Sequence, residues 1–232
     1  MKNIANSVTW RGWGILSISI VLSCLSVSHT NSSGDARMKE FQARHDQVVQ
    51  EKKAIKHRKI MAILNNYHTG LSKEAQVQLA HLIYQESRIY EYDPELILAL
   101  MAKESSFYNW SQSRKGALGL MQILPATGEA LAEAINIPWQ GKKTLFDPHS
   151  NIRLGTHYLS KLHKRFGQLE IALTAYHYGP SRVSKIQSRR RHMPKQYASR
   201  ILTTYREYMA LDSGADENAV LPDERSDKAT SA

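Results

Sequence analysis

The segment that most restricts how this chain can fold is a helix without a polar face. Asp93 and Pro94 form a strong helix start, since aspartate suits the N-cap and proline the first helical position. The stretch they open, Glu95-Leu-Ile-Leu-Ala-Leu-Met-Ala-Lys-Glu104, is apolar on nearly every side. Such a helix belongs at the centre of a domain, with other helices packed around it. Amphipathic helices are available for that: Ser72 to Tyr90 with Leu79, Ile83 and Tyr84 inward, then Pro125 to Ile135, Pro148 to Phe166 behind the cap Asp147, Leu169 to His177, and Pro194 to Leu211. No run of alternating residues is long enough to argue a sheet, so the expected class is mainly α.

The ends of the chain differ from its middle. Met1 to His29 carries Lys2 and Arg11 and no acid, followed by an apolar run from Trp13 to Val27. That run is short for a bilayer span, which needs about 20 residues, and small residues follow it. Residues 1–29 therefore read as an export signal, with an uncleaved N-terminal anchor as the alternative and a lipidated Cys24 as a third reading. Cys24 is the only cysteine, so the remaining chain can form neither an internal disulfide nor a cysteine-ligated metal site. Residues 30–70 read as a linker and a charged helix, Arg37 to about Asn65, which spaces the domain from the membrane as a solvated stalk. Residues 71–211 carry the domain, and 212–232 form an acidic tail expected to be disordered.

The formal net charge is +10, to which the tail contributes −4 and the first 29 residues +2, leaving +12 on residues 30–211. So basic a body favours an anionic polymer or surface as partner. Exported proteins rarely meet nucleic acid, which points to acidic lipid or cell wall.

A single carboxylate, Glu104, lies between Lys103 and Pro125. At the end of an apolar helix its pKa is expected to be raised, which would suit a general acid. Gln85-Glu86-Ser87 also contains Glu-Ser but lacks the residues that follow Glu104, and Glu86 is expected on the surface. Glu104-Ser-Ser-Phe107, Gly116-Ala-Leu-Gly119-Leu-Met-Gln-Ile-Leu-Pro125-Ala-Thr127, Asp147-Pro148 with Asn151-Ile152 and Gly155-Thr-His-Tyr158-Leu159, and Ala172 to Tyr176 with Gly179-Pro180 and Arg182-Val183 occur in that order. Together they resemble the soluble lytic transglycosylase catalytic domain, over about residues 75–210.

The resemblance implies a lysozyme-like fold with a preceding N-terminal helix. It implies Glu104 as catalytic acid and base, and a groove lined by Ser113, Met121, Gln122, Tyr176 and His177. The phenol of Tyr176 would lie across from Glu104. His177 departs from the family, which usually has asparagine at that place in Ala-Tyr-Asn-x-Gly. No metal and no cofactor are implied, because one carboxyl acts twice: it protonates the β-1,4 oxygen between N-acetylmuramic acid and N-acetylglucosamine, then takes the proton of the muramyl C6 hydroxyl as a 1,6-anhydro ring closes. The implied partner is the peptidoglycan glycan strand, in the periplasm or cell envelope, with membrane association through the N-terminal segment and a secretion or wall-remodelling complex left open. The alternatives are a hydrolytic muramidase and a weakly active wall-binding factor of a secretion apparatus.

Overall fold

The computed structural model describes residues 32–211, in which helices alternate with short turns. The readings for the signal and the acidic tail lie outside the described residues, as does Cys24. The first helix, α1 (Ser32–Asn65), is divided between two compact units at Gln47 and Val48. From Asp35 to Gln47 it is solvent-exposed, with Arg44 paired to Glu40 at 2.7 Å.

From Val48 onward the same helix belongs to the second unit, where Ile60, Ile63 and Leu64 are fully buried. The irregular apolar spacing reads here as a solvated helix or stalk whose packing the sequence leaves open. Four residues at the C-terminal end of α1 (Ile60, Met61, Ile63, Leu64) nevertheless fall on the helix-packing period and meet the core.

Around the apolar segment the expected helices form as α2 (Lys73–Ile89), α3 (Pro94–Ser105), α4 (Pro125–Ala134), α6 (Pro148–Phe166), α7 (Leu169–Tyr178) and α9 (Gln196–Ala210). Two more helices were not read from the sequence, α5 (Lys142–Phe146) and α8 (Pro180–Ser188). The first is too short to show a period. The second is basic and begins at a Gly-Pro pair that reads as a turn.

Helix α3 is the central element: every residue from Leu96 to Met101 is buried, and the helix packs chiefly on α9 and α2. Helix α6 packs on α7, α2 and α5, and α7 in turn meets α8 and α9. Asp147 caps α6 as expected, accepting the Ser150 amide at 2.9 Å. Asp93 occupies the N-cap position of α3 in extended conformation, but its carboxylate accepts a hydrogen bond from Tyr205 of α9 and makes no cap bond. Among the described residues the only β-type pairings are isolated bridges, Gln112 with Leu118 and Leu118 with Ile123.

Both ends of α3 carry a carboxyl. At the first, buried Glu95 meets Lys56 at 2.9 Å and Lys59 at 3.2 Å, both from α1. Burial pushes its pKa up, but the hydrogen bonds from Lys56, its own backbone and Lys59 more than offset this and leave it below the usual value. At the other end is Glu104.

Candidate active site

Glu104 lies in the last turn of α3, mostly out of solvent. The helix ends abruptly after it: Ser106 and Phe107 both have positive φ, 50° and 61°. Left-handed backbone is unfavourable for a bulky residue and persists only where its surroundings enforce it. Here the Phe107 ring is fully buried and packs on Tyr67 with centroids 4.5 Å apart. Ser105 fixes the same corner, its hydroxyl donating to the carbonyls of Met101 at 3.2 Å and Leu120 at 2.8 Å. The helix end that presents Glu104 is thereby tied to the Gly-Leu-Met-Gln segment.

Asn151 of α6 organises that segment. Its Oδ1 accepts the Met121 amide at 2.7 Å, and its Nδ2 donates to the carbonyls of Leu118 at 3.0 Å and Leu145 at 2.7 Å. The approach is so close that a Cβ on Gly119, which has φ +78°, would lie 2.3 Å from the Leu145 carbonyl oxygen. Gly155 serves the same end one turn further along α6, where a Cβ would lie 2.5 Å from Met121.

Met121 is fully buried, packed over Gly155, and exposes no side-chain surface to a substrate. The expectation that it lines a groove is corrected: what it offers is a backbone carbonyl, which accepts the Tyr176 hydroxyl at 2.9 Å. Tyr176 lies near Glu104, whose charge acts on it, but does not donate to it. Its phenol is spent on that carbonyl, and the hydroxyl that donates to the Glu104 carboxyl belongs to Tyr197, in the first turn of α9.

Gln122, half-buried with φ 50°, donates its amide to the carbonyls of Ser111 at 3.1 Å and Gly119 at 3.0 Å, which leaves its Oε1 as the polar atom for other partners. Ser113 closes the preceding turn, its hydroxyl accepting the Ala117 amide at 3.0 Å. His177 is exposed and stacks on Tyr197, centroids 4.2 Å apart at 16°. Glu86, expected at the surface, is buried beneath α6, with Arg153 at 3.6 Å. Burial raises its pKa, against the pull of Arg153 and His149.

Electrostatically the site is dominated by lost water. Burial raises the Glu104 pKa to about 7, while the hydrogen bond from Tyr197 and the charge of Lys103 act in the opposite direction. Burial and the neighbouring carboxylate push both Tyr176 and Tyr197 well above the usual phenol value, so both stay protonated donors. No group of three or more metal-ligating side chains occurs among the described residues. The arrangement can hold a proton on one carboxyl at neutral pH, release it, and steady the resulting anion with a phenol.

The model of the transglycosylase SLT domain matches residues 81–199, just over half of the chain. This chain belongs to that family. A Haemophilus influenzae protein named as a soluble lytic murein transglycosylase is 40% identical over 93 residues, covering 40% of this chain and 16% of that protein. Among solved structures, an inactive glutamate-to-glutamine mutant of the lytic transglycosylase Slt of Pseudomonas aeruginosa is 30% identical with a TM-score of 0.51, over 55% of this chain and 23% of that one. The 70 kDa soluble lytic transglycosylase of Escherichia coli is 28% identical with a TM-score of 0.50, over 57% and 25%. This chain thus matches an SLT domain inside much longer relatives, and its fold is the mainly α, lysozyme-like one.

Proposed function

We propose that this SLT-domain protein is a peptidoglycan lytic transglycosylase, cleaving the β-1,4 bond between N-acetylmuramic acid and N-acetylglucosamine and releasing a 1,6-anhydromuramyl end. The observation that carries the reading is the carboxyl without a partner carboxylate: burial raises the Glu104 pKa to about 7, and among the described residues the charge that acts on it is that of Lys103. Glycosidases that retain or invert configuration usually need two carboxylates. With one, the attacking group has to come from the substrate.

In the first step the protonated Glu104 gives its proton to the glycosidic oxygen as the C1–O bond breaks and its electrons leave with the N-acetylglucosamine oxygen. The muramyl N-acetyl group stabilises the cationic C1. The Glu104 anion, held by the Tyr197 hydroxyl, then takes the proton of the C6 hydroxyl, whose oxygen closes onto C1. The acid is regenerated and no water is consumed. A tethered hydroxyl reaches effective molarities of roughly 10⁵–10⁸ M in well-oriented cases, far above water at about 55 M. The name of the Haemophilus influenzae relative supports the murein substrate. That a glutamate-to-glutamine exchange leaves the Pseudomonas aeruginosa enzyme inactive supports an essential glutamate.

His177 and the Oε1 of Gln122 are assigned to the substrate, Ser113 and Tyr176 to holding the walls on either side, and Tyr197 to the Glu104 proton. The substrate places the protein in the periplasm or cell envelope. Mass analysis of digested sacculi tests the reading: fragments lighter by one water than the hydrolytic products are expected, and reducing-end muramic acid would make the protein a hydrolase on the same fold.

A further inference from the structure

Between Glu170 and Glu207 the chain holds eight lysines and arginines and no carboxylate. Five of them lie on α8 and the turn that follows it. On α8, Arg182 and Lys185 stand three residues apart on the exposed face, Arg189 continues that face just past the helix end, and Val183 is buried on the opposite side. Arg189, Arg190 and Arg191 are held in an ordered turn, with the Arg190 amide on the Gln187 carbonyl at 3.0 Å and the Arg191 amide on Ile186 at 3.1 Å. Arg190 has φ 48°, the left-handed conformation at a helix end that glycine adopts most easily. An exposed arginine therefore occupies a place where glycine would fold with less strain. None of these cations forms an ion pair among the described residues.

Three ring contacts join Arg182, in the first turn of α8, to the carboxyl. The Arg182 guanidinium lies 5.2 Å from the Tyr178 ring centre, Tyr178 meets His177 edge-on at 4.7 Å, and His177 stacks on Tyr197, which donates to Glu104. A polymer cleaved at Glu104 extends beyond the site, and the side nearest these rings is strongly cationic.

We propose that α8 and the turn after it, with Arg189, Arg190 and Arg191 at its centre, form a docking surface for the free carboxylates of the peptide stems carried by the glycan strand. The proposal rests on the transglycosylase reading of the same site. Guanidinium groups bind carboxylates bidentately, and several together concentrate an anionic polymer over the range that salt leaves unscreened. The position of the surface favours stems over a lipid headgroup, because a strand engaged at Glu104 brings its own anions there.

The test compares the full chain with the Arg189→Gln/Arg190→Gln/Arg191→Gln variant on two substrates: peptide-bearing glycan strands, and strands whose stems an amidase has removed. The variant is expected to raise KM about tenfold on peptide-bearing strands at low ionic strength, the order expected for three exposed charge pairs. The effect should leave kcat unaltered, be confined to the peptide-bearing strands, and shrink as the Debye length falls from about 30 Å at 0.01 M salt to about 8 Å at 0.15 M. An unchanged KM on peptide-bearing strands would overturn the proposal, as would an equal rise on stripped strands. Arginine-dependent sedimentation with phosphatidylglycerol vesicles, without any effect on strands, would overturn it in favour of a lipid surface. A native protein that cleaves neither substrate would instead sink the transglycosylase reading itself.

Discussion

The proton affinity of Glu104 is set by the water it lacks, since burial outweighs the pull of Tyr197 and Lys103. If the acid form starts the reaction, kcat/KM measured against pH should fall as pH rises through about 7. Tyr197→Phe removes a donor that favours the anion, so the alkaline limb of that profile should move to higher pH while the rate drops. A limb that stays in place would mean that the phenol has no hold on the proton. Glu104→Gln keeps the shape but has no transferable proton, and turnover should fall at least by the 10²–10⁴-fold typical of lost acid–base catalysis. The raised proton affinity of Glu104 could be read from the sequence, because the acid closes an apolar helix and specific motifs follow it. Tyr197 could not: it stands 93 residues away in an amphipathic helix, where a tyrosine in the inward row with Ala198 and Ile201 looks like any core aromatic. Tyr176 attracted the role instead, because its motif is explicit while the use of its hydroxyl is not.

Helix α3 lies between two anchorages of different chemistry, lysines at Glu95 and a phenol at Glu104. Lys59→Ala would take away one of the two cations on a buried carboxylate, together with the 3.1 Å hydrogen bond to the Met209 carbonyl of α9. Uncovering a buried charge is costly, and a loss of about 3 kcal/mol in unfolding free energy is expected in denaturant titration. Asn151→Ala would leave the Met121 amide and the Leu145 carbonyl without this partner in a buried place, while the Leu118 carbonyl keeps the Ile123 amide at 3.1 Å. A similar loss is expected there, and the activity should fall further than the stability, since the segment released adjoins Glu104 through Ser105. The long helices were legible because their apolar spacing repeats over several turns. The packed end of α1 and the short α5 and α8 were not, since each offers too few inward residues for a period to stand out.

For the folded protein the proton on Glu104 has a second effect. Its pKa is 4.5 in an ordinary environment and about 7 in the fold, so between those values the native state keeps a proton that the unfolded chain gives up. The contribution is fully present below pH 4.5 and is lost as pH rises through about 7, amounting to about 3 kcal/mol. Glu104→Gln abolishes this dependence, so its melting temperature should gain on that of the native protein between pH 5 and pH 8 in calorimetry. An unchanging difference would show that the carboxyl is better hydrated than its burial suggests. The Asn151 junction has a consequence in time. Because the Met121 amide is bonded to a side chain that two other carbonyls hold in place, it can meet deuterium only when α6 lifts away from the segment. Its exchange should keep pace with the slowest amides of the helices, making a stretch without regular secondary structure one of the last parts of the molecule to open.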